Sequence, residues 1–167
     1  IIEVAVLFLG IFATMTPARE VGGDFYDFFM VDENRIALVI ADVSDKGVGA
    51  ALFMVISKIL IKIMIMKGSK KYKEETSLAK ILSDVNNWLV DNNRSRMFVT
   101  VWAAIIDLRT GKGIASNAGH EHPALRRAGE EFELIKYPHL PVLGLIKNLK
   151  IVEHEFQLNP GDRLFVY

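Results

Sequence analysis

Short apolar runs separated by polar turns divide most of the chain into predicted strands. An aromatic run at 25–31 follows a glycine pair, and a wholly apolar run at 36–41 follows a polar turn. Runs of this length that are bounded by turn residues are typical of strands. From residue 97 onward the same pattern predicts strands at 98–107, 114–118, 124–128, 151–158 and 163–167.

Two predicted helices lie between these groups of strands. The first opens after residue 42, runs to about Lys67 and ends at Gly68; between 50 and 66 only Ser57, Lys58 and Lys62 are polar. A helix that is apolar nearly all round is buried on more than one side. We therefore expect helix 50–66 to pack on a sheet on one side and on the second helix or a second copy of the chain on another.

The second predicted helix runs to about Asn92 and can be capped by Thr76 or Ser77. At the other end of the chain, residues 1–9 are strongly apolar but too few to span a membrane, which favours a buried strand or helix. Residues 10–16 follow as a strand that Pro17 ends. The order of strands, two adjacent helices and then strands predicts an α+β fold: a layered β-sandwich of mainly antiparallel sheets flanked by helices.

Composition narrows the function classes. With 167 residues, 51% of them hydrophobic, the chain is expected to form a single globular domain over 1–167. Twenty basic and twenty acidic residues cancel, so no overall field favours nucleic acid or an anionic membrane. The absence of cysteine excludes disulfides, thiolate metal sites and cysteine nucleophiles, and indicates the cytoplasm.

The first candidate for chemistry is the segment Gly22-Gly23-Asp24-Phe25-Tyr26-Asp27. Paired glycines allow a tight turn or a close backbone approach. A carboxylate directly after them is a natural ligand for a hard cation such as magnesium or manganese. The alternative is a solvated turn before a strand, with Asp27 facing water.

The second candidate is Asp42-Val43-Ser44-Asp45, followed by Lys46-Gly47-Val48-Gly49. Asp42 ends a wholly apolar strand, which is where a rigid scaffold presents functional groups. Ser44 or Asp45 can instead be the cap of the first helix. A phosphate cradle at Gly47-Val48-Gly49 is disfavoured because the glycine spacing of the nucleotide-binding motifs is missing.

The third candidate is Ser116-Asn117-Ala118-Gly119-His120-Glu121-His122-Pro123. A spacing of two on a strand would place His120 and His122 on one face, as in a zinc site. A polar turn between two strands is the favoured interpretation, since His139 and His154 have no recognisable spacing to this pair.

These segments, in this order, resemble the metal-dependent (PPM-type) protein serine/threonine phosphatases of the sporulation stage II protein E and RsbU-like subclass. The resemblance covers roughly residues 10–167 and rests on the following motifs: Pro17-Ala18-Arg19-Glu20-Val21-Gly22-Gly23-Asp24-Phe25-Tyr26-Asp27, Ala41-Asp42-Val43-Ser44-Asp45-Lys46-Gly47, Met97-Phe98-Val99-Thr100, Asn117-Ala118-Gly119-His120, Leu140-Pro141-Val142-Leu143-Gly144 and Pro160-Gly161-Asp162.

The resemblance implies hydrolysis of phosphoserine or phosphothreonine in proteins by water that two manganese or magnesium ions activate at one end of the sandwich. It makes Asp42 the carboxylate that bridges the ions, the Val43 carbonyl a ligand of one ion and Asp24 a ligand of the other. Arg19 corresponds to a phosphate-binding arginine. The residues expected to surround the ligands are Asp27, Asp45, Asn117 and His120.

Two departures from the broader family matter. Ser44-Asp45 stands where that family has a histidine proposed as the general acid, so the general acid stays unassigned. The family's Thr-Asp-Gly motif would follow Tyr167, and a further acidic ligand lies beyond it. We expect the chain as given, truncated at its C-terminus, to bind metal weakly and to show little activity.

The resemblance also implies partners. The substrate would be a phosphorylated anti-sigma-factor antagonist, regulated through sensor domains upstream in the same chain, and upstream segments could tether the parent protein to a membrane. A homodimer through helix 50–66 is a further expectation. The alternative function is a non-catalytic interaction module with the same fold, against which the intact Asp24 and Asp42 argue.

Overall fold

The computed structural model describes residues 2–5, 10–16, 22–71, 77–138 and 140–167. The first part of the chain forms β1 (Ile2–Ala5), β2 (Gly10–Ala13), β3 (Phe25–Met30), β4 (Arg35–Val43), α1 (Val48–Lys71) and α2 (Leu78–Asn92). The second part forms β5 (Val99–Asp107), β6 (Lys112–Ala118), β7 (Ala124–Arg126), β8 (Phe132–Leu134), β9 (His154–Gln157) and β10 (Arg163–Val166).

The strands form two five-stranded antiparallel sheets that pack face to face. The central sheet has the order β3-β4-β5-β6-β9, and the outer sheet has the order β2-β1-β10-β7-β8. Both helices of the described residues lie on the free face of the central sheet, where α1 contacts β3 and β4, and α2 contacts β5 and β6. The predicted α+β sandwich is confirmed.

The central sheet is buried on both faces, which explains the wholly apolar run in β4. Val39 and Ala41 face the core under the helices, whereas Leu38 and Ile40 face the core between the sheets. Because successive side chains of a strand point to opposite faces, a strand with a core on each side favours apolar residues at every position. The charged residues of β4 therefore lie near its ends, at Arg35 and Asp42.

The first helix is one turn longer than predicted. It continues through Gly68 to Lys71. Gly68 does not end the helix but lies where α1 and α2 approach each other closely. A Cβ at Gly68 would stand 2.6 Å from Cδ1 of Ile81. The second helix begins as predicted, since the Oγ of Ser77 accepts a hydrogen bond from the backbone N–H of Lys80 at 3.2 Å.

Lys58 and Lys62 of α1 lie over the edge strand β3. Nζ of Lys58 donates to the carbonyl of Tyr26 at 3.1 Å. Nζ of Lys62 pairs with Oδ2 of Asp27 at 3.2 Å and lies 4.6 Å from the ring centroid of Phe29. An edge strand leaves backbone groups unpaired, and charged side chains protect it. Both lysines therefore face the protein.

The solvent side of α1 is instead apolar. We call this surface the α1 stripe; its exposed members are Val48, Leu52, Val55, Ile56, Ile59, Ile63 and Met66. Residues Val48–Gly68 have a mean hydropathy of 2.2, and a membrane-spanning helix would have the same length and composition. In this fold the helix is a layer of the domain with one apolar face left open.

Several strand boundaries differ from the prediction, and three differences are the largest. The N-terminal strand ends at Ala13, earlier than Pro17, which lies outside the described residues. The short strand β8 was not predicted, because Phe132–Leu134 is too short and too exposed to carry an apolar pattern. The predicted strand 151–158 is paired only over His154–Gln157.

Candidate metal centre

Asp24 and Asp42 come together at one end of the central sheet. In the antiparallel pairing of β3 with β4, Phe25 lies opposite Ala41, so the next residue pair is Asp24 and Asp42. Their carboxyl groups are within hydrogen-bond reach of each other. Asp42 is the one exposed position of β4. Two residues that are 18 positions apart in the chain thus form a single acidic pair.

Gly23 makes this close approach of β3 and β4 feasible. A Cβ at Gly23 would stand 2.8 Å from the carbonyl oxygen and 3.2 Å from the Cβ of Val43. Real Cβ atoms essentially never come within 3.0 Å of another heavy atom, so a larger residue would push the strands apart. The glycine therefore places the Asp24 carboxylate and the Val43 carbonyl at the same end of the sheet.

A Gly23→Ala substitution is expected to damage the candidate site. The added methyl group must displace the backbone of Val43, which costs about 1–3 kcal/mol of stability, as overpacking does. Thermal unfolding and calorimetric manganese binding measure the two effects. Gly22→Ala is the matched control, since the nearest atom to its new Cβ, the backbone nitrogen of Asp24, is at 3.9 Å. Equal behaviour of the two variants would contradict the close-approach role.

The acidic pair is electrostatically unbalanced. Burial first, and then the hydrogen bond with Asp24 and repulsion from its charge, raise the pKa of Asp42 to about 6 from an ordinary value of 3.8. Two neighbouring carboxylates repel each other, so it is costly to ionise both. A divalent cation between them would remove this penalty.

The donor set fits a hard cation such as magnesium or manganese. Carboxylate and carbonyl oxygens are the ligands these ions prefer, and Asp24, Asp42 and the Val43 carbonyl supply them. Among the described residues, no group of three or more His, Cys, Asp or Glu side chains is placed to hold a metal. The described chain thus contributes a pair of carboxylates rather than a complete ligand set.

Ser44 and Asp45 do not cap the first helix. The helix starts at Val48, and the carbonyl of Gly47 accepts its first bond, from Ala51. Ser44 is bonded to β5 instead: its backbone N–H donates to the Phe98 carbonyl at 2.8 Å, and its Oγ accepts from the Phe98 N–H at 2.8 Å. Asp45 is exposed, with a φ of +76°. These bonds anchor the backbone directly after Asp42.

Thr100 is the residue at this end that sequence reasoning missed. It lies directly opposite Asp42 in the pairing of β4 with β5. Its Oγ1 is 2.7 Å from Nδ1 of His120 and 3.4 Å from the Asp42 carbonyl oxygen. Its place in the Met97–Thr100 segment, at the start of a strand that pairs with β4, was the available signal.

The Asn117–His120 segment is a tight turn that aims His120 at Thr100. The Asn117 side chain accepts from the His120 N–H at 2.8 Å and donates to the His120 carbonyl at 3.0 Å. Gly119 has a φ of +72°, and a Cβ there would stand 2.7 Å from Val142. The motif therefore holds one imidazole at the acidic end of the sheet.

The remaining candidate residues lie elsewhere. Asp27 is on the helix face of β3, opposite to the face of Asp24, and pairs with Lys62. Nδ1 of His122 accepts from the Tyr137 N–H at 3.4 Å, so the two histidine rings serve separate partners. Arg19 and His139 lie outside the described residues.

Comparison with known proteins gives one family and many structures of the same fold. The sequence profile of the stage II sporulation protein E family (SpoIIE) matches residues 32–167. The phosphoserine phosphatase RsbU of Bacillus subtilis is 30% identical over 95% of this chain and 45% of its own. The RsbU and RsbW domains of a Mycobacterium tuberculosis protein superpose with a TM-score of 0.72 at 23% identity, over 88% of this chain and 38% of theirs.

RsbX, solved in complex with magnesium, superposes with a TM-score of 0.68 at 17% identity and covers 97% of this chain and 75% of its own. At such identities the structures establish the fold. The chain spans 27% to 45% of the length of the curated relatives it matches.

Proposed function

Because this chain belongs to the stage II sporulation protein E family, we propose that residues 1–167 are a phosphatase domain that removes phosphate from serine or threonine in a partner protein. The observation that carries this proposal is the Asp24–Asp42 pair at the end of the central sheet. Similarity to the phosphoserine phosphatases RsbP and RsbU of Bacillus subtilis supports it.

The proposed role of the acidic pair is to hold two divalent ions, manganese or magnesium. Asp42, Asp24 and the Val43 carbonyl would hold these ions, with Asp42 serving both, the Val43 carbonyl one and Asp24 the other. When bound, such ions lower the pKa of water and offset the charge of a phosphoryl group. The residues themselves bind and orient, and the chain needs no protein nucleophile, in keeping with its lack of cysteine.

The proposed substrate is a phosphorylated anti-sigma-factor antagonist, and the proposed location is the cytoplasm, with sensor domains elsewhere in the same chain. This proposal rests on the similarity of the chain to RsbU of Bacillus subtilis. Arg19 is proposed to bind the substrate phosphate, because a planar guanidinium matches phosphate oxygens.

The test is manganese-dependent release of phosphate from a phosphoserine protein by the full-length protein. We expect release that rises with manganese and stops with a chelator. A folded protein that releases no phosphate at millimolar manganese, and that still binds the phosphoprotein, would be a non-catalytic interaction module instead.

We further propose that the α1 stripe is the contact with a second copy of this chain. Val48, Leu52 and Ile59 are 72%, 62% and 52% exposed, and the stripe carries no charge along about five turns of helix. A two-fold contact joins the same patch on both copies, and an uncharged apolar helix face is self-complementary. Contiguous apolar patches of this kind mark interaction sites on soluble domains.

An Ile59→Glu substitution is expected to convert the dimer to a monomer without unfolding it, because two like charges would meet in an apolar contact. Analytical ultracentrifugation of the full-length protein measures the change. Asp84→Lys on the exposed face of α2 is the charge-changing control and should stay dimeric. A monomeric wild-type protein at micromolar concentration would overturn this proposal and leave the phosphatase proposal standing.

A further inference from the structure

A chain of polar contacts crosses the acidic end of the central sheet beyond the two carboxylates. Asp24 is next to Asp42, Asp42 is opposite Thr100, and Thr100 is bonded to His120. Directly opposite residues of antiparallel strands share a face. The side chains of Asp24, Asp42 and Thr100 therefore form one row, and the imidazole stands at its end.

The two contacts of the Thr100 hydroxyl favour one arrangement of protons. A hydroxyl has one proton, and Oγ1 of Thr100 lies 2.7 Å from Nδ1 of His120 and 3.4 Å from the Asp42 carbonyl oxygen. Because the carbonyl can only accept, both contacts are satisfied when Thr100 donates to the carbonyl and Oγ1 accepts from a proton on Nδ1. A neutral ring then has no proton on Nε2.

The surroundings of the ring favour this neutral form. Burial lowers the pKa of His120 below its ordinary value of 6.5, although the nearby Tyr167 backbone and the charges of Glu121 and Asp24 act in the opposite direction. Nε2 is buried and has no partner at hydrogen-bond geometry among the described residues. An unpaired buried N–H is costly, which favours the tautomer that carries its proton on Nδ1.

Hydrogen bonds hold both polar groups of the His120 backbone. Asn117 is 4% exposed and its amide bonds both the N–H and the carbonyl of His120. Gly119 has a positive φ, and a Cβ at this position would collide with the Val142 side chain, so the turn requires glycine. The backbone of His120 is therefore fixed, and its side chain reaches one defined partner.

We propose that Thr100 and His120 are positioning residues for the acidic pair, acting through the hydroxyl of Thr100. The imidazole fixes the Thr100 rotamer, and Thr100 in turn fixes the Asp42 backbone and stands against the Asp42 side chain. This inference rests on the proposed function, because it concerns metal binding by Asp24 and Asp42. Outer partners of metal ligands commonly change metal affinity by roughly 10–100-fold.

The test uses variants that keep one ring nitrogen at a time. In His120→Asn the amide group can replace Nδ1 as the partner of Thr100, whereas in His120→Gln the amide group takes the place of Nε2 and the Thr100 bond is lost. Thr100→Val removes the hydroxyl and keeps the shape, and Thr100→Ser restores it. The readout is the manganese dissociation constant of the full-length protein, measured by calorimetry, beside phosphate release.

We expect Thr100→Val and His120→Gln each to weaken manganese binding about 10-fold, and the double variant to be no weaker than either one. Thr100→Ser and His120→Asn should stay within about 3-fold of the wild type, which bare structural damage would not produce. The unfolding temperature without metal identifies any variant that fails to fold. If Thr100→Val or His120→Gln fails to fold, the manganese affinity of the other variant decides.

Manganese affinities of Thr100→Val and His120→Gln equal to that of the wild type would overturn the positioning role. So would additive losses in the double variant, since independent residues add. If the wild-type protein itself neither binds manganese nor releases phosphate, the proposed function fails. That outcome is distinct from the two results that would overturn the positioning role.

Discussion

An Asp42→Asn variant of the full-length protein is expected to lose phosphatase activity by roughly 100-fold or more, because the loss of a direct ligand should exceed the 10–100-fold typical of outer partners. Asparagine keeps the shape of the side chain and removes the charge that a shared cation needs. It also removes the charge repulsion between Asp42 and Asp24. The variant should therefore bind manganese poorly while remaining folded.

The measurements are manganese-dependent phosphate release, manganese binding and unfolding temperature, made side by side. Asp27→Asn is the matched control: it removes a carboxylate three residues from Asp24, but one that faces α1 and pairs with Lys62. We expect activity within about 3-fold and a stability loss of up to about 1 kcal/mol. Wild-type activity in Asp42→Asn would contradict the metal role of the pair.

An Asp162→Ala variant is expected to lose about 2–4 kcal/mol of stability, the range for removing one partner of a buried charged network. Asp162 is 2% exposed. Its carboxylate accepts from Nη1 of Arg127 at 2.6 Å, from the Asn159 N–H at 2.9 Å and from the Ala128 N–H at 3.1 Å. These bonds join the turn before β10 to the end of β7, and all three donors would be left without this acceptor.

The Asp162 network also predicts a pH dependence with a definite sign. Burial alone would raise the pKa of Asp162, but hydrogen bonds from Asn159, Arg127 and Ala128 outweigh it and hold the pKa below its ordinary value of 3.8. The folded state therefore binds the proton less tightly than the unfolded chain. The stabilisation is fully present above about pH 4 and is lost as pH falls through the lower folded pKa.

Chemical unfolding between pH 7 and pH 3 measures this effect. The stability difference between the wild type and Asp162→Asn should be constant above about pH 5 and should shrink below about pH 4. Asp84→Asn on the surface of α2, where Asp84 pairs with Lys80 at 3.6 Å, is the control and should cost at most a few tenths of a kcal/mol. A difference that grows at low pH would contradict the assigned sign.

Some features of the fold depend only on the local sequence pattern. The strand β4 and the start of α2 were predicted because their signals are local: a continuous apolar run in one case, and a serine before an amphipathic helix in the other. Gly68 was misread as a helix end. Nothing in the residues around it reveals that Ile81 of another helix lies against it.

The residues of the site also differ in whether a local sequence signal or only a tertiary contact reveals them. Asp42 stood out because a carboxylate at the end of a buried strand is hard to explain by packing. Asp24 and Asp27 could not be separated from the pattern alone, because which face of β3 meets the helices depends on pairing with β4. Thr100 was passed over for the same reason, since its neighbour Asp42 is 58 residues away.

The sequence by itself determined the class of fold, the order of its elements and the family, because hydrophobic periodicity and motif order are carried by residues close together in the chain. Tertiary structure alone decided that Asp27 faces Lys62 and not the acidic pair, that Thr100 joins Asp42 to His120, and that Lys58 and Lys62 cover β3 while the α1 stripe stays open. Strand register and helix rotation set these contacts, and both are settled only when the two cores pack.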